Sequence, residues 1–216
     1  MIKQITYLTF LDALLAGDKL LCQSIVKNLV DNKIPVETIY FDLFQKVMYR
    51  IGTMWEKNQI SIPVEHHATQ IIDELISVTL NASQKEEGNG KRCIISCVDK
   101  EYHLLGAKMV SYIFELNGWD TIFLGASTPP KTLVNYVMEK DPHVVGLSNN
   151  FHLNFLRLLE TIELIKQARP NQQIYLGGQA IGQVADKLPK EHEGVKIFHS
   201  IMDLNKHLKE ISLQTA

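Results

Sequence analysis

The chain has 216 residues, 45% of them apolar and 21% charged, with a net charge of −2, which is enough apolar material for one large or two small cores. The weak, mixed charge and the lack of a basic arm or DNA-reading motif exclude a nucleic-acid surface as its main business. No apolar run approaches the ~18 residues of a membrane span, and the residues after Met1 lack the apolar centre of a signal peptide, so a cytoplasmic location is expected. Cys22, Cys93 and Cys97 are odd in number and read as small apolar fillers rather than a disulfide framework.

The first part reads as helices. Leu8, Leu11, Leu14 and Leu15 fall at helical spacing and stop at Gly17, and Asp18 is placed to cap a second helix carrying Leu20, Leu21, Ile25, Val26, Leu29 and Val30. Pro35 suits the first turn of a third helix, which runs through Ile39, Leu43, Phe44, Val47 and Ile51 towards Trp55. Ser61, with Glu65 nearby, opens a fourth that continues through His66 to Leu80. Four helices joined by short turns imply an all-α four-helix bundle, assigned to residues 1–87.

Lys85 to Arg92 is charged and glycine-rich, has nothing to bury, and reads as an interdomain linker with the boundary near Gly88. Strands then alternate with helices. Strands are expected at Cys93–Val98, Thr121–Leu124, Val144–Leu147, Ile174–Leu176 and Lys196–Phe198, and helices at Leu104–Asn117, Lys131–Lys140, Leu153–Ala168, Ile181–Leu188 and Met202–Ile211. The alternation predicts right-handed βαβ units and, for residues 88–216, a flavodoxin-like (Rossmann-like) five-stranded parallel sheet covered on both faces. Ligands of such sheets bind outside the carboxyl ends of the strands, so the loop Glu101-Tyr102-His103-Leu104-Leu105-Gly106 lies where binding is expected. Its spacing alone leaves two readings open. His103 is either a metal ligand whose ring Glu101 orients, or an ordinary loop histidine beside a helix-entry glycine.

Glu101-x-His103-x-x-Gly106 resembles the Asp/Glu-x-His-x-x-Gly signature of cobalamin-binding domains. Ser148, after Val144-Val145-Gly146-Leu147, resembles the serine of that family's Ser-x-Leu motif, although the pair Asn149-Asn150 replaces the motif's apolar third residue. Gly177-Gly178, after Ile174-Tyr175-Leu176, resembles its Gly-Gly motif. The resemblance implies that His103 is the lower axial ligand of cobalt, that Glu101 tunes it through a hydrogen bond, and that Ser148, Gly177 and Gly178 line the crevice for the nucleotide tail.

In the helical half, Trp55 followed after nine residues by Glu65-His66 is similar to the cap of light-sensing adenosylcobalamin proteins. That likeness implies Trp55 in the space of the adenosyl group, Glu65 accepting hydrogen bonds from it, and His66 beside it. Two departures from the sensor branch stand out: Glu56 occupies the position of its second cobalt-binding histidine, and no helix-turn-helix segment precedes the bundle. The expectation is a cobalamin-binding light or cofactor sensor that holds adenosylcobalamin and signals by changed association with itself or with a separate regulatory protein, rather than an enzyme, with no direct nucleic-acid binding. The alternative is a corrinoid methyl carrier of a methyltransferase system, binding methylcobalamin.

Overall fold

A computed structural model describes residues 2–184 and 194–213. It divides into two compact units, Met1–Gln84 and Lys85–Ala216.

The helical unit begins with α1 (Gln4–Ala16). Gly17 ends it at φ +70, and the N–H groups of Gly17 and Asp18 return to the carbonyls of Leu14 and Ala13. A left-handed glycine lets the chain close orphan carbonyls in this way. Asp18 then caps α2 (Lys19–Asp31) by accepting the Leu21 N–H at 2.9 Å.

The third run is less regular than its sequence predicts: α3 (Val36–Ile39) passes through a π-helical turn, Tyr40–Gln45, into α4 (Lys46–Glu56). Ile39, Leu43, Val47 and Ile51 are all fully buried, and their spacing of four explains the irregularity. On an ideal α-helix each such step overshoots a full turn by about 40°, so three steps would carry Ile51 about 120° off the buried face. A wider turn recovers that drift. The same segment holds Tyr40, whose hydroxyl donates to the Ile76 carbonyl at 3.0 Å and accepts from Thr79 Oγ1 at 3.0 Å. These two residues belong to α5 (Ile62–Asn81). Phe44 lies between Phe10 and Tyr40, each ring 5.9 Å from it.

The second unit alternates as predicted: β1 (Arg92–Cys97), α6 (Leu105–Leu116), β2 (Asp120–Gly125), α7 (Pro130–Lys140), β3 (Val144–Ser148), α8 (Phe155–Ala168), β4 (Gln173–Gly177), α9 (Ile181–Val184), β5 (Val195–Ile197) and α10 (Ile201–Leu213). The part of the helix expected at Ile181–Leu188 that follows Val184 lies outside the described residues. All pairings are parallel and the strand order is β2-β1-β3-β4-β5, the flavodoxin-like order expected. β1 and β3 are buried along nearly their whole length. Because the chain leaves β1 towards β2 and returns on its other side as β3, the carboxyl ends of β1 and β3 flank the switch point of the sheet.

The stretch from Lys85 to Arg92 is not the contact-free linker its composition suggests. Glu86 N–H donates to the Leu116 carbonyl at 3.0 Å, Asn89 N–H to the Gly118 carbonyl at 2.9 Å, and Asn89 Nδ2 to the Asn117 carbonyl at 2.9 Å. A Cβ on Gly118 would sit 2.1 Å from the Glu87 carbonyl oxygen. The backbone is docked on the turn between α6 and β2 while the charges stay outside. Composition describes the side chains and is blind to this docking.

Cys22, Cys93 and Cys97 are free and fully buried. Burial pushes their thiols up to about 11, 12 and 12, so they act as apolar fillers and not as nucleophiles.

Candidate functional site

The site is built at the carboxyl ends of β1, β3 and β4. Beyond β1, Val98 N–H still donates to the Ser148 carbonyl at 3.1 Å, after which the chain turns with Lys100 at φ +62. Neighbouring loops pin this turn. Ser127 N–H donates to the Glu101 carbonyl at 3.0 Å, Lys100 N–H donates to Ser127 Oγ at 3.0 Å, and Arg157 on α8 pairs with Asp99 at 2.7 Å.

Glu101 is the centre of the arrangement. Its side chain is 1% exposed, which for a lone carboxylate would be strongly unfavourable. Both oxygens are hydrogen-bonded instead. Oε1 accepts the His103 N–H at 3.0 Å and lies 2.6 Å from His103 Nδ1, while Oε2 accepts the N–H groups of Asn150 and Phe151, both at 2.8 Å. Burial pushes the Glu101 carboxyl up, but the bonds from the His103 ring and from the His103, Asn150 and Phe151 amides outweigh it and hold the group at about 2. An ionised Glu101 can only accept, so Nδ1 carries the hydrogen, and in the neutral form of the ring the lone pair sits on Nε2. The ring is 72% exposed. The sequence suggested a Glu101–His103 hydrogen bond; the fold anchors it through the Asn150 and Phe151 amides as well.

Gly106 is the second residue of α6, and a Cβ there would meet nothing within 4 Å. Ser148 ends β3, paired in register with Cys97 on one side and Gly177 on the other. At Gly177 an added Cβ would meet, among the described residues, only the Phe198 carbonyl oxygen, at 3.9 Å. Gly178 differs: at φ +110 its Cβ would fall 2.3 Å from the Asn149 carbonyl oxygen and 2.6 Å from its carbon. Gly178 is therefore required by the fold itself, whereas Gly106 and Gly177 leave room for a ligand. Asn149 is fully buried, and neither its Oδ1 nor its Nδ2 has a hydrogen-bond partner among the described residues.

In the sequence Asn150 stands out only as part of the Asn149-Asn150 pair that departs from the Ser-x-Leu pattern. Its Nδ2 donates to the His103 carbonyl at 3.0 Å and to Ser148 Oγ at 3.3 Å, and its Oδ1 accepts the Gln179 N–H at 3.1 Å. No sequence signal singles out such a residue, because its partners are mostly backbone groups distant in the chain.

In the helical unit, Trp55 lies near the end of α4 and is 44% exposed. Glu65 and His66 lie in the first turns of α5. Glu65 Oε2 is 2.6 Å from His66 Nδ1, and Oε1 accepts the Thr69 hydroxyl at 2.9 Å.

A model described as "B12 binding domain" matches residues 91–199, just over half of the chain, and a second model of that description matches residues 9–79. The chain belongs to the B12-binding-domain family.

This family member is similar to trimethylamine corrinoid protein 1 of Methanosarcina acetivorans, with 23% identity over 160 residues, 71% of this chain and 74% of the relative. It is similar also to trimethylamine corrinoid protein 2 of Methanosarcina mazei, with 24% identity over 181 residues, 81% and 83% of the two chains. The monomethylamine corrinoid protein of Methanosarcina barkeri shares the fold at a TM-score of 0.81, with 15% identity and full coverage of both chains. A methanol:cobalamin methyltransferase complex of the same organism aligns at a TM-score of 0.51, with 14% identity, covering 98% of this chain and 81% of that one.

These relatives overturn the light-sensor expectation, with its adenosyl group and signalling partner: they are named for corrinoid and methyltransferase systems. The lean away from an enzyme system has no support among them either. The physical reason for the misreading is visible in α5. A carboxylate near a helix N-terminus, bonded to its neighbour and to the residue one turn on, is ordinary helix chemistry, and the Trp55, Glu65, His66 spacing does not distinguish a sensor from a carrier. Among the described residues no helix is long and apolar enough to cross a membrane, and no group of three or more His, Cys, Asp or Glu side chains is placed to hold a bare metal ion.

The site fits a cobalt corrinoid. The corrin brings its own equatorial ligands and asks of the protein one oriented imidazole and space beside it. His103 offers the first, and the open positions at Gly106 and Gly177 offer the second.

Proposed function

We propose that this chain is the corrinoid component of a methyltransferase system. His103 Nε2 would hold the cobalt, with Glu101 fixing the tautomer of the ring and raising its basicity, and Gly106, Ser148, Gly177 and Gly178 would border the space for the cofactor. When bound, the cobalt centre supplies one-carbon group transfer; the methylated cofactor, rather than the adenosylated one, is the working form. The partner is a separate methyltransferase protein, and small methylated amines are the first methyl donors to test, because the relatives are named for them.

The observation that carries the reading is the buried, fully bonded Glu101 carboxylate 2.6 Å from an exposed imidazole. The residues around it have limited roles. Glu101 keeps the hydrogen on Nδ1, the loop contacts of Asp99 and Ser127 keep the ring's backbone in place, and the glycines keep side chains out of the way.

The test is a titration of the apoprotein with hydroxocobalamin, with His103→Ala beside the parent. The parent is expected to bind with the absorbance change of imidazole ligation, and the variant to lose that change and bind at least about tenfold more weakly. Identical spectra and affinities would remove His103 from the site. A parent that binds hydroxocobalamin but accepts no methyl group from any methyltransferase and methylamine pair would leave a cobalamin-binding protein without the carrier role.

A further inference from the structure

Three loops meet beside His103, and one side chain joins them. Asn150 donates to the carbonyl of His103 in the loop after β1 and to Ser148 Oγ at the end of β3, and accepts from the Gln179 N–H in the loop after β4. Its own N–H meanwhile goes to Glu101 Oε2. Among the described residues the second and third loops are also joined through backbone: Asn149 N–H donates to the Gly177 carbonyl at 2.9 Å, and Ala180 N–H to the Asn149 carbonyl at 3.3 Å. The His103 carbonyl therefore reaches the Gly177-Gly178 turn through the Asn150 amide.

We propose that Asn150 is a positioning residue that sets the distance between the ligand loop and the glycine loop before any cofactor arrives. A primary amide suits this role, because it donates to two oxygens at one end while accepting an N–H at the other. A carboxylate at this position offers only acceptors, and an apolar side chain offers neither. Preorganisation of this kind improves affinity by removing an ordering cost from binding. The inference rests on the proposed corrinoid role for its purpose, while its structural content stands on the hydrogen bonds of Asn150.

The experiment separates the two. Hydrogen exchange of the apoprotein, read by mass spectrometry on peptides covering residues 99–106 and 177–182, is compared for the parent, Asn150→Asp and Asn150→Leu. All three keep the backbone N–H to Glu101. Asn150→Leu is expected to speed exchange about tenfold in both peptides and nowhere else in the sheet. Asn150→Asp keeps the acceptor for Gln179 and is expected to speed exchange in 99–106 alone. Hydroxocobalamin affinity should fall about tenfold in the leucine variant. Unchanged exchange in both peptides, or a uniform rise across the whole unit, overturns the positioning role. If exchange responds as stated while the parent binds no hydroxocobalamin, the positioning role stands and the proposed function falls.

Discussion

Replacing Glu101 by glutamine is expected to destabilise the α/β unit by about 3 kcal/mol and to remove a specific part of its pH dependence. The size follows from the carboxyl group being held at about 2 against an ordinary value of 4.5. The sign is that of a depressed acid. The contribution is complete above about pH 4.5 and is lost as the pH falls towards 2, because the unfolded chain takes up the proton first. Glutamine has nearly the same shape but cannot reproduce the pattern. Its NH₂ group must face either the Asn150 and Phe151 N–H groups or the His103 N–H and ring, and each choice sets donor against donor. Thermal unfolding of the parent and of Glu101→Gln should differ by about 10 °C at neutral pH, and the gap should close between pH 4.5 and 2. A gap independent of pH would show that packing, not charge, is what Glu101 contributes.

The second large effect separates two adjacent glycines. Gly178→Ala is expected to cost about 3–5 kcal/mol, because the new Cβ meets the Asn149 backbone at 2.3 to 2.9 Å, and because φ +110 is poorly accessible to any other residue. Gly177→Ala has only the Phe198 carbonyl oxygen near it, at 3.9 Å, so it should leave the unfolding midpoint within about 0.5 kcal/mol of the parent. Its expected effect is on hydroxocobalamin affinity, since the methyl group takes space the fold leaves open. Denaturant melts of both variants with cobalamin titrations decide the matter. Equal stability losses at the two positions would remove the distinction between a glycine the fold needs and one the ligand needs.

The order of dependence matters for reading these variants. Glu101 and Gly178 act on the folded loops themselves, so their loss should appear in the apoprotein. Loss of the His103 ring, 72% exposed, should cost the apoprotein its hydrogen bond to Glu101 and, once a cofactor is present, cofactor affinity as well.

Much of the framework could be read locally. Apolar runs at Cys93–Val98 and Val144–Leu147, Gly17 followed by Asp18, and the alternation after Arg92 are short-range patterns, and all reappear as elements. Glu101, His103, Ser148 and Gly177-Gly178 could be placed at strand ends for the same reason. The spacing of four from Ile39 to Ile51 was also present in the chain, although its consequence, a π turn, follows only when every one of those residues has to be buried at once.

The features that emerge solely from the folded arrangement are polar and long-range. The sequence could pair Glu101 with His103 but not with amides some fifty residues away, and it could not distinguish Gly177 from Gly178 or give Asn150 a role. Residues 85–92 have the composition of a free linker, although their backbone is bonded to the α6–β2 turn. The physical reason is common to all of these. Burial of side chains leaves a periodic trace in residue type, whereas a bond to a backbone group is open to almost any partner and leaves none.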